Sequence, residues 1–321
     1  MAEAKQIQAL EQERIPRLLF NYAVPAVVGT VVNSLYNIVD RIFIGQGVSE
    51  YALSGLAITF PILLFLQAFG MLVGAGASVR VSILLGQRNT PRAEQTLANA
   101  VYLTLVTQIL TIIPCYIYME PLLRLFGASD RTLPYAVEYL RIVIPANFFA
   151  AFSFGYNAIM RASGYPRKAM TTMLLSALIN VVLDYVFIYP MGMGIRGAAI
   201  ATAIAMIICA AYVLSHFFLP SSIVRFRRTA FRPSWAIVRA ITAIGIAPFA
   251  MQLTGSAVNV IMNRSFVAYG TTPEESDLAI GAFGIISSYA MLIVMLILGV
   301  AQGMQPIVGF NYGARALPRV R

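Results

Sequence analysis

The chain has 321 residues, of which 59% are apolar and 11% charged, with a formal net charge of +10 and a mean hydropathy of +0.76. A water-facing surface needs far more charge than this, so the composition excludes an ordinary soluble domain and implies an integral membrane protein. The excess of base invites a nucleic-acid partner, but its distribution along the chain argues against one.

The polar start AEAKQIQALEQERIPR mixes acids and bases, and the apolar stretch behind it is too long for a signal-peptide core. Residues 1–17 are therefore expected to form a short surface segment, with a helix leading into the first span. Apolar runs able to cross about 30 Å of hydrocarbon at 1.5 Å per residue lie at 18–44, 51–79, 97–119, 136–160, 169–190, 197–219, 238–268 and 278–310. They predict eight helices and an all-α, polytopic bundle. Cys115 and Cys209 fall inside such runs and read as small buried hydrophobes. Pro25 and Gly29 in the first helix, and Gly70, Gly74 and Gly76 in the second, are expected to serve close packing, with bending at the prolines.

Two segments of the chain repeat. At a fixed step of 223 residues Pro25 meets Pro248, Asp40 meets Asn263, Arg41 meets Arg264, Phe43 meets Phe266 and Gly47 meets Gly270. After a short insertion the step becomes 227, where Gly76 meets Gly303, Gly86 meets Gly313, Arg88 meets Arg315, and Pro91-Arg92 meets Pro318-Arg319. Duplicated membrane units are a mark of many transporters. The expected organisation is a surface segment (1–17), an N-lobe of six helices (18–219), a basic linker (220–237) and the first two helices of a second, pseudo-symmetric lobe (238–321). On the repeat argument a complete second copy would run to about residue 448.

Most of the 23 basic residues fall on one side of the predicted bundle: Lys5, Arg14 and Arg17, then Arg80, Arg88 and Arg92, then Arg161, Arg167 and Lys168, then Arg225, Arg227, Arg228, Arg232 and Arg239, then Arg315, Arg319 and Arg321. This is the positive-inside bias, and it puts the N-terminus and the linker PSSIVRFRRTAFRPSW in the cytoplasm of a plasma-membrane protein. A rival reading makes the clustered arginines an anionic-lipid patch.

Asp40 and Asp184 lie deep in apolar helices, and an intramembrane carboxylate is a functional-site hypothesis by default. Counting along the helices puts both in the outer third, at the depth of Tyr139 and Thr202. Asn180 is one turn below Asp184 and Tyr36 one turn below Asp40, each on the same helix face. Carboxylate, amide and hydroxyl oxygens suit a proton or a hard cation such as Na⁺, so Asp40, Asp184, Asn180 and Thr202 form a candidate Na⁺ site. The competing structural reading pairs Asp40 with Arg41 or Arg141. Asn33, Asn37, Asn157 and Met173 are candidate cleft-lining residues, with Gln67, Asn147 and Ser153 as softer ones. His216, the sole histidine, is expected at the membrane interface. The chain carries no GxxxxGK[ST], HExxH or nucleophile triad, so neither ATP, a cofactor nor an enzymatic reaction is expected, and no nucleic acid.

The segments VPAVVGTVVNSLYNIVDRIFIGQ, RASGYPRKAM, INVVLDYVFIYPMGMGIRGAAIAT and GVAQGMQPIVGFNYGA occur in this order. Together they resemble the multidrug and toxic compound extrusion (MATE) family, in its DinF-like and MepA-like branch. The resemblance implies twelve helices in two lobes, alternating access, and exchange of Na⁺ or H⁺ for organic cations. It assigns the coupling site to Asp40, Asp184, Asn180, Tyr139 and Thr202, and a cleft amide to Asn157, which helix counting puts toward the cytoplasmic end. Asn259 and Asn263 stand where some members carry an acid on the seventh helix, so no cation site is expected in the second lobe. Against that family pattern the chain reads as C-terminally truncated. Two alternatives are a lipid-linked oligosaccharide flippase of related architecture, which would favour a basic cavity, and a non-transporting membrane scaffold or assembly subunit.

Overall fold

A computed structural model describes residues 2–320, with side chains from Ile7 onward. Arg321 and the side chain of Lys5, two of the basic groups named above, lie outside the described residues. Ten α-helices follow in order: α1 Ala2–Gln12, α2 Ile15–Gly47, α3 Glu50–Gly86, α4 Thr90–Ile117, α5 Met119–Leu125, α6 Leu133–Ala162, α7 Pro166–Ile188, α8 Gly194–His216, α9 Trp235–Tyr269 and α10 Pro273–Gly313. All but α1 and α5 are long and apolar enough to cross a membrane, so the protein is an all-α, multi-pass membrane protein.

The spanning helices all begin before the apolar stretches that predict them, while α4, α7 and α8 end two or three residues short of theirs. Helix α4 begins at Thr90, seven residues before its apolar run, because Asn89 caps it by accepting from Arg92 N at 3.2 Å and Pro91 fits the first turn. Ser49 caps α3 in the same way at 3.0 Å, and Thr272 caps α10 at 3.2 Å. Hydropathy marks the hydrocarbon; capping residues mark the helix.

Helix α3 is the hub, packing against α4, α6, α9 and α10. Its crossing with α6 is a backbone contact, since a Cβ on Gly74 would sit 2.4 Å from Gly155 Cα. Larger residues at either position would force the helices apart.

The sequence repeat becomes a pseudo-twofold relation between α3 and α10. Equivalent positions meet along the whole crossing: Ser54 against Gly281 and Ala57 against Gly284 at one end, Ser82 against Gly309 at the other, and Ser78 hydrogen-bonded to Gln305 between them. Gly86 packs on Phe310 while its counterpart Gly313 packs on Ile83, the reciprocal contact. The two copies also end alike. Arg88 at φ 57° and Arg315 at φ 58° are the only non-glycine residues with positive φ among the described residues, both just past a helix C-terminus, where the left-handed conformation closes the last turn.

The last two helices pack straight onto the first two. Helix α9 lies along α3, and α10 lies along α2 and α3. At the basic end Arg319 donates to the Leu10 and Glu13 carbonyls, at 3.3 and 2.7 Å, and Arg88 pairs with Glu11 at 2.8 Å, so α1 is strapped beneath both copies.

The segment between α8 and α9 is docked. Ile223 and Val224 are buried, Tyr165 donates to the Ser221 carbonyl, and Asn99 on α4 both donates to the Arg232 carbonyl at 3.0 Å and accepts from Ser234 N at 2.8 Å. This fold-back corrects the interfacial placement of His216. The ring is buried, 4.5 Å from the Tyr165 ring and 3.3 Å from Ser222 Oγ, because the segment closes over the end of α8.

Candidate ion-coupling site

Helices α2 and α7 run side by side, and their approach is tight at the end opposite the basic surface, where a Cβ on Gly47 would strike Ile188. Asp40 lies seven residues before the end of α2 and Asp184 four before the end of α7, about 10 and 6 Å along the helix axes. That places both carboxyls near one depth, and the lateral contact of the helices brings them together.

Asp40 is 8% exposed and Asp184 fully buried, and the two carboxyls are close enough to interact electrostatically. Ionised carboxylates only accept, so this pair cannot bond to itself without a proton or a cation between its oxygens. Asn180 Nδ2 donates to Thr202 Oγ1 at 3.2 Å, which turns its carbonyl oxygen away from α8. Tyr139 lies beside Thr202. Tyr36 lies beside both carboxyls. Residues from α2, α6, α7 and α8 thus converge as the periodicity of their helices predicts.

The acceptors are in surplus. Asp40 Oδ1, both carboxylate oxygens of Asp184 and Asn180 Oδ1 are buried without a donor among the described residues. An unpaired buried acceptor costs about 1–3 kcal/mol, and a charged one more. Four of them in one cluster form a donor set for a hard cation or a shared proton.

The ion-pair alternative does not describe the geometry. Arg141 pairs with Glu120 at 3.8 Å, and Arg41 lays its guanidinium 4.5 Å over the Phe60 ring, against Gly284. Consecutive helical residues point about 100° apart, so Asp40 faces α7 while Arg41 faces α3 and α10. Arg264, the repeat counterpart of Arg41, is exposed, and Asn263 is buried with Nδ2 unpartnered.

The cleft candidates scatter. Asn37 Nδ2 donates to the Asn33 carbonyl at 2.7 Å on α2, beside Tyr36. Met173 fills the α2–α7 crossing against Gly29, as a packing residue. Asn157 is not part of the acid cluster: it lies 18 residues from Tyr139 along α6, about 27 Å, donating to the Ala169 carbonyl at 2.8 Å and accepting from buried Arg161. The bond ties α6 to the first turn of α7. Sequence reasoning missed the aromatic cap of the site. Phe43, Tyr185 and Tyr189 pack at centroid distances of 5.5 to 6.3 Å where α2 and α7 end, a grouping visible only as Phe43 lying three residues beyond Asp40.

The MatE family matches residues 25–186, the span that holds both aspartates. The multidrug export protein MepA of Staphylococcus haemolyticus is 26% identical over 96% of this chain and 67% of its own length; that of Staphylococcus aureus strain NCTC 8325 is 24% identical over 97% and 67%. The chain thus spans about two thirds of these relatives. Among solved structures, a ligand complex of the MATE multidrug transporter DinF-BH superposes with a TM-score of 0.89 at 33% identity, over 96% of this chain and 68% of that one. A MOP superfamily transporter of Pyrococcus furiosus, described as having a binding pocket of reverse polarity, superposes at 0.87 with 26% identity, over 98% and 69%.

Proposed function

This chain belongs to the MatE family of multidrug efflux transporters, and on that premise we propose that it exchanges an inward-moving Na⁺ or H⁺ for outward-moving organic cations through the Asp40–Asp184 pair. The observation that carries the reading is the set of four buried oxygens without donors on Asp40, Asp184 and Asn180. A proton or Na⁺ placed there joins the two carboxyls and removes a negative charge that otherwise attracts a cationic solute. Coupling follows from that competition, because each ligand lowers the affinity for the other by the same factor. Thr202 holds Asn180 in place, and Tyr139 and Tyr36 border the cluster. The positive-inside bias orients the protein with its N-terminus and basic end in the cytoplasm of the plasma membrane. An acidic cluster favours cations over the pyrophosphate a flippase would carry.

Everted vesicles loaded with a fluorescent cationic dye test this under an imposed pH or Na⁺ gradient. Gradient-driven dye movement should be lost in Asp184→Asn at unchanged membrane expression, and movement that persists would remove Asp184 from the mechanism.

A further inference from the structure

The docked segment between α8 and α9 places a particular set of side chains on its outer surface. Phe218 is 70% exposed, Trp235 79% and Phe231 36%. Phe218 and Phe231 flank the partly buried Phe226, at ring distances of 5.1 and 5.7 Å, so they belong to one aromatic ridge; Trp235 opens α9 next to Ser234, the residue clamped by Asn99. Between them stand Arg227, Arg228 and Arg232, all exposed. Arg227 is committed to Glu94 at 3.0 Å. Arg228 and Arg232 have no acid partner among the described residues, and the 3₁₀ turn Arg228–Ala230 fixes the backbone between them.

Exposed aromatic rings beside unpaired guanidiniums, at the ends of two membrane helices, are what a headgroup layer recognises. Indole and phenyl rings settle at the membrane interface, and arginines there attract anionic headgroups, by about fivefold for each arginine. A segment serving only as a tether would need neither the buried Ile223 and Val224 nor the double clamp from Asn99. We propose that Phe218, Phe231 and Trp235, with Arg228 and Arg232, form a docking surface for anionic phospholipid headgroups. It holds the segment joining α8 and α9 against the leaflet, so that the chain pivots at a fixed depth. The proposal stands apart from the ion-coupling reading, because its test involves no transport.

Trp235 is the chain's sole tryptophan, so its fluorescence reports the surface directly. The full chain would be reconstituted in nanodiscs holding equal mole fractions of brominated phosphatidylglycerol or brominated phosphatidylcholine. The anionic lipid should quench Trp235 several-fold more strongly, and the preference should weaken with added salt. It should vanish in Arg228→Gln/Arg232→Gln and persist in Arg228→Lys/Arg232→Lys, with unchanged emission in unbrominated discs showing that both variants are folded. Equal quenching by the two lipids would overturn the proposal, as would a preference that survives the glutamine variant. Suppression of the preference by millimolar inorganic phosphate would also overturn it, by showing a site for free phosphate instead of a lipid surface.

Discussion

Gln305 Nε2 donates to Ser78 Oγ at 2.8 Å, and the two residues, 227 apart, are the same position in the two copies of the repeat. A position can touch its own counterpart only on the pseudo-twofold axis, so this bond marks where the axis passes between α3 and α10. Ser54 with Gly281 and Ser82 with Gly309 mark it again toward the two ends.

Exchange of the two side chains tests that relation. Ser78→Gln and Gln305→Ser should each cost about 0.5–1.5 kcal/mol. Ser78→Gln combined with Gln305→Ser should recover most of the loss, because the axis makes the two environments alike. Thermal unfolding of the detergent-purified protein would measure the cycle; additive losses in the double variant would mean that the copies are not equivalent there.

Thr202 sets the direction of the Asn180 amide. Thr202→Val removes the hydroxyl at nearly constant volume and leaves Asn180 Nδ2 without its acceptor, so the amide is free to turn its oxygen out of the cluster. Changes of this kind typically cost 10- to 100-fold in ion affinity. The concentration of Na⁺ or H⁺ giving half-maximal efflux should therefore rise at least about tenfold, while maximal efflux at saturating ion is largely kept.

Much of this site is legible without coordinates. Asp40 and Asp184 stand out because ionised groups are costly in hydrocarbon, and Asn180, Tyr139 and Thr202 follow from counting turns along neighbouring helices. Counting gives depth but not azimuth. It does not show that Arg41 turns to Phe60 and Gly284, or that Met173 packs on Gly29. For Asn157 counting does give the depth, toward the cytoplasmic end and about 27 Å along the helix from Tyr139, but not its bond to the Ala169 carbonyl. The burial of His216 is beyond any local pattern, because it depends on Tyr165 arriving from another helix boundary and on the chain folding back at Ser222.

The clamp by Asn99 gives another expected outcome. Asn99→Ala removes both bonds to the segment between α8 and α9, worth about 1–3 kcal/mol together, and local opening should become correspondingly more frequent. Limited trypsin digestion should cut at Arg227 or Arg228 roughly tenfold faster than in the parent chain. An unchanged cleavage rate would mean that Ile223, Val224 and Tyr165 hold the segment without it.

The seam between α3 and α10 is made mainly of glycine, alanine and serine: Gly281 and Gly284 at one end, Gly86, Gly309 and Gly313 at the other. Lipid tails are as apolar as any side chain, so helices in a bilayer gain no hydrophobic drive toward each other and adhere through close van der Waals contact. Larger groups border the seam at its ends, the Arg41 guanidinium against Gly284 and Phe310 against Gly86, both buried. The chain thus has a joint that is held by close backbone contact along its length and closed at each end by a buried group that separation would uncover.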